Sequence, residues 1–121
     1  MDDRTMLELA AKAAGTEWIQ ANTEKGVELE PVFGLWLKIH GELYEGQRRR
    51  WNPLANDGDA LRLAVKLKLC FGPNFDGDLA VCFGDNGRNI TEAFGADHYA
   101  ATRRAIIRAA AEIQLAKESG K

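Results

Sequence analysis

This chain of 121 residues lacks any long hydrophobic run: no apolar stretch approaches the roughly 20 residues that cross a bilayer, which excludes a membrane-spanning helix. Its opening residues, MDDRTMLELAAKAAG, are acidic and Ala-rich rather than basic and then apolar, so no secretory leader is expected and the chain reads as soluble and cytoplasmic. Cysteine is scarce. Cys70 and Cys82 lie in the apolar runs KLCF and AVCF, with no CxxC or Cys/His spacing, and are expected as buried, reduced thiols. An excess of either charge is also missing: 16 basic and 18 acidic residues give a net charge of -2, without the positive field that drives non-specific nucleic-acid binding, although local basic patches are allowed. The sequence contains no GxSxG, P-loop, HExxH or GxGxxG motif. It therefore assigns no catalytic residue, cofactor or metal, and the expectation is a protein that is not an enzyme.

What is present is the composition of one folded domain, 1–121, with 45% hydrophobic residues to fill a core. Met6, Leu9, Ala10 and Ala13 recur with helical period, which predicts a helix near 3–14, capped by Asp3 or Thr5 and stopped by Gly15. The period then changes. TEWIQ, VELEPV and LWLKIHGELYE are rich in β-branched and aromatic residues and are broken by glycines and Pro31, as short strands are. In LWLKI, Leu35, Leu37 and Ile39 alternate with Trp36 and Lys38, so Trp36 is placed opposite the aliphatic, core-directed face.

The stretch RRRWNPLANDGDALRLAVKL holds three arginines, a Trp, a turn and an amphipathic run. Pro53 disfavours helix at Asn52, and Asn56, Asp57 and Asp59 offer side chains that cap a helix predicted over 57–67. Ala60, Leu63, Ala64 and Leu67 form its stripe, widened by Leu61 and Val65, with Asp59, Arg62 and Lys66 toward solvent. Trp51 is expected to anchor the turn to the core. An EF-hand-type calcium loop would need more oxygen ligands and a closing Glu, which DGDALRLA lacks. Further on, Gly72-Pro73-Asn74 signals a turn and Asp85-Asn86-Gly87 a hairpin, whose arms are Leu79 to Phe83 and Asn89 to Phe94. A last helix is predicted over 98–117, capped by Asp97, with Tyr99, Ile106, Ala109, Ala110 and Ile113 on one stripe; Ile107 and Leu115 either widen it or supply a dimer contact.

The run WNPLANDGDALRLAVKL, followed by short strands and by ADHYAATRRAIIRAAAEI, resembles a group of small bacteriophage and prophage proteins. The order helix, strands, Trp-x-Pro turn, helix, hairpin, helix is similar to the phage ABA-sandwich type of domain. The likeness covers nearly the whole chain, is most specific at Trp51 to Leu54 and Asp57 to Ala60, and is weakest from Thr16 to Gly46. It implies an α/β sandwich and a phage or prophage origin, hence a bacterial host, and carries no reaction.

The expected fold is therefore α+β: four to six short, mainly antiparallel strands in a sheet packed with three helices. The expected function is non-enzymatic binding of a bacterial protein, such as a host defence component, through Trp36 with Tyr44, or through Arg48, Arg49 and Arg50, or Arg103 and Arg104. The competing reading is a nucleotide or single-stranded nucleic acid held by the patch from Arg48 to Trp51, where arginines grip phosphate and the indole stacks on a base. An unrecognised enzyme is the third. His40 and His98 read as ordinary surface histidines, and the Ala-rich helix faces permit a homodimer.

Overall fold

A computed structural model of the chain describes residues 2–14, 18–20, 36–39, 42–45, 49–84 and 88–120, with side chains given for 2–14, 50–84 and 88–120. Among the described residues there are three helices, α1 (Asp3–Ala13), α2 (Asp57–Leu67) and α3 (His98–Gly120), and seven short strands between them. These are β1 (Trp18–Gln20), β2 (Trp36–Ile39), β3 (Glu42–Glu45), β4 (Arg49–Arg50), β5 (Cys70–Pro73), β6 (Leu79–Phe83) and β7 (Asn89–Ala93). The strands make two sheets rather than the expected one. In the first, ordered β1-β2-β3-β4, β1 runs parallel to β2 and the remaining pairs are antiparallel. The second, β5-β6-β7, is an antiparallel meander. The fold is a single-domain α+β unit in which the three-stranded sheet packs against the helices, and no helix among the described residues is long and apolar enough to cross a membrane.

Helix α3 is the centre of the core. It contacts α1, α2 and all three strands of the second sheet, and it buries Ala101, Ala105, Ile106, Ile107 and Ala109 to Ala111. Small side chains on both partners let α1 lie close, since Ala10, Ala11 and Ala13 are buried on its side. Ile107 is fully buried, so it widens the core face. The sheet offers Ala80, Cys82 and Ile90 to the same core. Met6 and Leu9 of α1 and Ala60, Leu63 and Ala64 of α2 complete it. Helical periodicity placed Met6, Leu9, Ala10, Ala13, Ala60, Leu63, Ala64, Ile106, Ala109 and Ala110 correctly because burial of one stripe is what the period records.

Several local expectations change. The N-cap of α1 is Asp2, not Asp3 or Thr5: its Oδ1 accepts the Thr5 N–H at 2.8 Å, and the Thr5 hydrogen bonds hold the Asp2 carboxyl below its usual range. Leu61 and Val65 do not widen the α2 stripe but are 52% and 69% exposed, while Asp59, expected in solvent, is 1% exposed. The buried arc of α2 is narrow, and among the described elements α3 is the one it packs against extensively. α2 ends in a Schellman motif without glycine: Lys68 adopts φ 58°, its N–H donates to Val65 O, and the Leu69 N–H donates to Ala64 O.

Gly72 and Pro73 belong to β5, and the turn falls later, where Asn74 Oδ1 accepts the N–H groups of Gly77, Asp78 and Leu79. One asparagine acts as a whole turn's acceptor, which displaces the Gly-Pro signal. The hairpin of β6 and β7 is present, pairing Phe83 with Asn89, although its tip, 85–87, lies outside the described residues. Only one thiol is buried. Cys70 is exposed on edge strand β5, whereas Cys82 lies under the helices, and both are free. Burial, and then the neighbouring Cys70, push the Cys82 thiol up to about 12.

Candidate functional site

The stretch from Trp51 to Arg62 folds on itself. Trp51 is 3% exposed and Pro53 is fully buried, fastening the loop to the core. Asn52 O accepts the N–H groups of Ala55 and Asn56, and Asn52 Oδ1 accepts that of Leu54. Asn56 Oδ1 caps α2 through the Asp59 N–H at 2.9 Å. The buried Asp59 carboxylate then reaches back: Oδ2 accepts the Asn52 N–H at 2.9 Å and Oδ1 accepts Arg62 Nη2 at 2.7 Å. A carboxylate out of water is tolerated when both oxygens are satisfied, as here. Asp59 therefore clamps the loop rather than capping the helix, and Asp57 pairs with Arg103 at 2.6 Å. The sequence motif that stands out most is an architectural device.

The arginines of α3 stitch its neighbours together. Arg103 Nε donates to Leu54 O at 2.7 Å, so this residue joins α3 to the loop. Arg104 pairs with Asp3 at 3.0 Å, Arg108 bonds Glu92 and donates to Thr91 O, and Arg88 pairs with Glu112 at 3.5 Å. Met6, Glu92, Arg104 and Arg108 line a small polar cleft of about 370 Å3 among these pairs, where the charges balance. Among the described residues no three His, Cys, Asp or Glu side chains converge as metal ligands would.

A larger feature opens at the other side of α3. Between the start of α2, strand β5 and the start of α3 lies an open cleft of about 1030 Å3. Its walls include Leu61, Phe71, Pro73, Phe94, Tyr99 and Ile106. Tyr99 is seven residues before the buried Ile106, hence on the same stripe, and was expected in the core; yet it is 72% exposed. The cleft lies at the N-terminal end of that stripe, between Tyr99 and Ile106. His98 stacks on Phe94 with ring centroids 4.4 Å apart, and Arg103 closes one wall. Such an apolar concavity with a few polar groups has the size and lining of ligand and peptide sites.

Exposed apolar residues gather at this place. Of the six large hydrophobic side chains exposed among the described residues, Leu61, Phe71 and Tyr99 line the cleft, and Val65 lies one turn beyond Leu61 on α2. Phe75 is fully exposed on the Asn74 turn, whose Gly77 forms part of the wall. Only Phe83 is elsewhere, on the face of the sheet turned away from Cys82.

The surfaces singled out in the sequence fall in different places. Trp36 stands opposite Glu45 in the ladder and Tyr44 opposite Leu37, so the two aromatics are not a cross-strand pair. Arg49 and Arg50 form the edge strand β4, paired in register with Glu45 and Tyr44, and Arg50 is exposed. Arg48 and His40 lie outside the described residues, as do VELEPV and Gly15. Arg103 and Arg104 are engaged in the intramolecular pairs above. The burial of Trp51 removes the stacking aromatic from the arginine patch. Sequence reading missed the cleft, and its only available signal was Tyr99, an aromatic at the solvent-near beginning of an otherwise Ala-rich stripe. No protein-family model, curated protein or solved structure matches this chain.

Proposed function

We propose that the protein is a non-enzymatic binding module that holds a partner protein in the cleft between α2, β5 and α3. The observation that carries this reading is the concentration of exposed Leu61, Phe71 and Tyr99 in one concavity, with Val65 and Phe75 at its margin. Water-exposed apolar area of this kind is costly to a monomer and is the usual mark of an interaction surface. Pre-formed walls favour it further: α3 is anchored along most of its length, and the Asn74 turn is held by its own hydrogen bonds, so little ordering is needed on binding. The resemblance of the Trp51 to Leu67 run to phage and prophage proteins makes a bacterial protein the proposed partner, in keeping with an accessory role during infection.

Binding of nucleotide or single-stranded nucleic acid through Arg48 to Trp51 is the weaker proposal, because Trp51 is committed to the core. Site-specific photocrosslinking in bacterial cells separates the two. A benzophenone side chain at Tyr99 or Leu61 is expected to give a discrete adduct with a protein, and one at the distant, exposed Glu118 is not. Adducts from Glu118 alone, or none from either cleft position, would remove the cleft from consideration.

A further inference from the structure

We infer that the cleft takes a cationic amphipathic segment of its partner, an inference that rests on the binding role proposed above. The lining is largely apolar, and acidic side chains stand at its mouth and on the adjoining turn. Asp97 lines the mouth, and Asp76 and Asp78 flank Gly77 in the wall; all three are exposed, and none forms an ion pair among the described residues. The Asp78 carboxylate accepts the Asn74 amide, and Asp97 caps α3 through the Ala100 N–H. The arginine of the lining does not offset them. Arg103 is 16% exposed at its side chain and is occupied by Asp57 and by Leu54 O.

An apolar groove edged by carboxylates favours a ligand that brings Lys or Arg above the rim while burying leucine-like side chains below it. The exposed faces of Tyr99 and Phe71 add attraction for the same cations. An acidic segment would meet the like charge of Asp97 and approach Asp76 and Asp78 beside Gly77, which sets the sign of the discrimination. A strand is the wrong shape for the site. The β5 edge ends at Pro73, which has no N–H, so a fourth strand would find a short and interrupted ladder. Recognition then falls to side chains in the groove, as when an amphipathic helix lies along one. Phe75, projecting from the Asn74 turn, stands where it would flank such a segment.

The test titrates the full chain against a fluorescein-labelled amphipathic Lys/Leu peptide and a Glu/Leu peptide of the same pattern, read by fluorescence anisotropy. The Lys/Leu peptide is expected to bind at least about tenfold more tightly. Asp76→Asn with Asp97→Asn, which keeps the capping acceptor of α3, should weaken it about threefold or more, and added salt should do the same. Leu61→Lys, at an exposed position, should abolish the preference, while Glu118→Gln at the far end of α3 should change nothing. Equal binding of the two peptides, or indifference to the cleft substitutions, overturns the inference. Crosslinks from Tyr99 without a preference for the Lys/Leu peptide would leave the binding role standing and remove this chemistry alone; absence of crosslinks would remove both.

Discussion

The carboxylate of Asp59 accepts the backbone N–H of Asn52 at 2.9 Å across a loop whose first residue, Trp51, is sealed into the core. The pair fixes where α2 begins relative to α3, and hence one wall of the cleft. Asp59→Ala would strand the buried Asn52 N–H, with an expected loss of about 2–3 kcal/mol. Asp59→Asn retains an acceptor and should cost about 1–2 kcal/mol. Arg62→Ala removes the partner of Asp59 Oδ1 but leaves Oδ2 on the Asn52 N–H, and should cost about 1–2 kcal/mol, less than Asp59→Ala. Urea denaturation midpoints check the order, and a loss on Arg62→Ala equal to that on Asp59→Ala would contradict it.

The phase of α2 is testable by contrast. Leu63 is buried and Leu63→Ala is expected to cost about 2–5 kcal/mol, whereas Leu61→Ala and Val65→Ala, at exposed positions, should stay within about 0.5 kcal/mol. Equal destabilisation at the three sites would mean that the wider stripe read from the sequence describes the folded protein.

Lys68 occupies the left-handed position past the end of α2, with φ 58°. Glycine reaches that conformation without crowding a Cβ, so Lys68→Gly should raise stability by about 0.5–1 kcal/mol, seen as an upward shift in Tm. A lower Tm would show that the Lys68 side chain contributes more than its backbone conformation costs.

The two thiols should behave differently. With Cys70 exposed and Cys82 buried with its pKa pushed up to about 12, a maleimide should modify one site quickly in the native protein and both after denaturation. Cys70→Ser should abolish the fast phase, and fast labelling that survives it would place Cys82 at the surface. The sign of the pH effect follows. Folding holds the Cys82 proton beyond its ordinary 9.0, so its stabilising effect is full below 9.0 and is lost as pH rises from there toward 12. At the acid end the lowered Asp2 pKa works oppositely: stability is present above 3.8 and is lost as pH falls through the lowered value. Midpoints measured across pH should decline at both extremes, and in Cys82→Ala the alkaline decline should shrink.

The helices were legible because local chemistry specifies them. Asp57 to Leu67 was read with its observed bounds, and α1 and α3 differ from expectation by one residue and by a continuation past Lys117 to Gly120. The β6 and β7 pairing was legible too, since alternation on both arms meets a short turn. The turn reads as Gly72-Pro73-Asn74 in the sequence and falls slightly later, starting at Asn74. Gly72-Pro73 carries the stronger local signal, but Pro73 is accommodated at the end of an edge strand, where its missing N–H is not needed.

The amino-acid pattern by itself determined three amphipathic helices, an antiparallel hairpin, an α+β class and a tryptophan fastened at the entrance to α2, because period, capping and turn chemistry act over a few residues. Only the tertiary structure decided which apolar residues go uncovered. Tyr99 and Ile106 are equivalent to any periodicity, yet one is 72% exposed and the other 2%, a difference that only packing against the rest of the fold can set. The sign of a surface was likewise a tertiary matter. Arginines that looked available in the chain, Arg103 and Arg104, are matched by Asp57 and Asp3 from far along the sequence, while Asp97 lines the cleft and Asp76 and Asp78 sit on either side of its wall residue Gly77. Charge balance over a whole chain says nothing of where opposite charges meet, because only folding sets their distances.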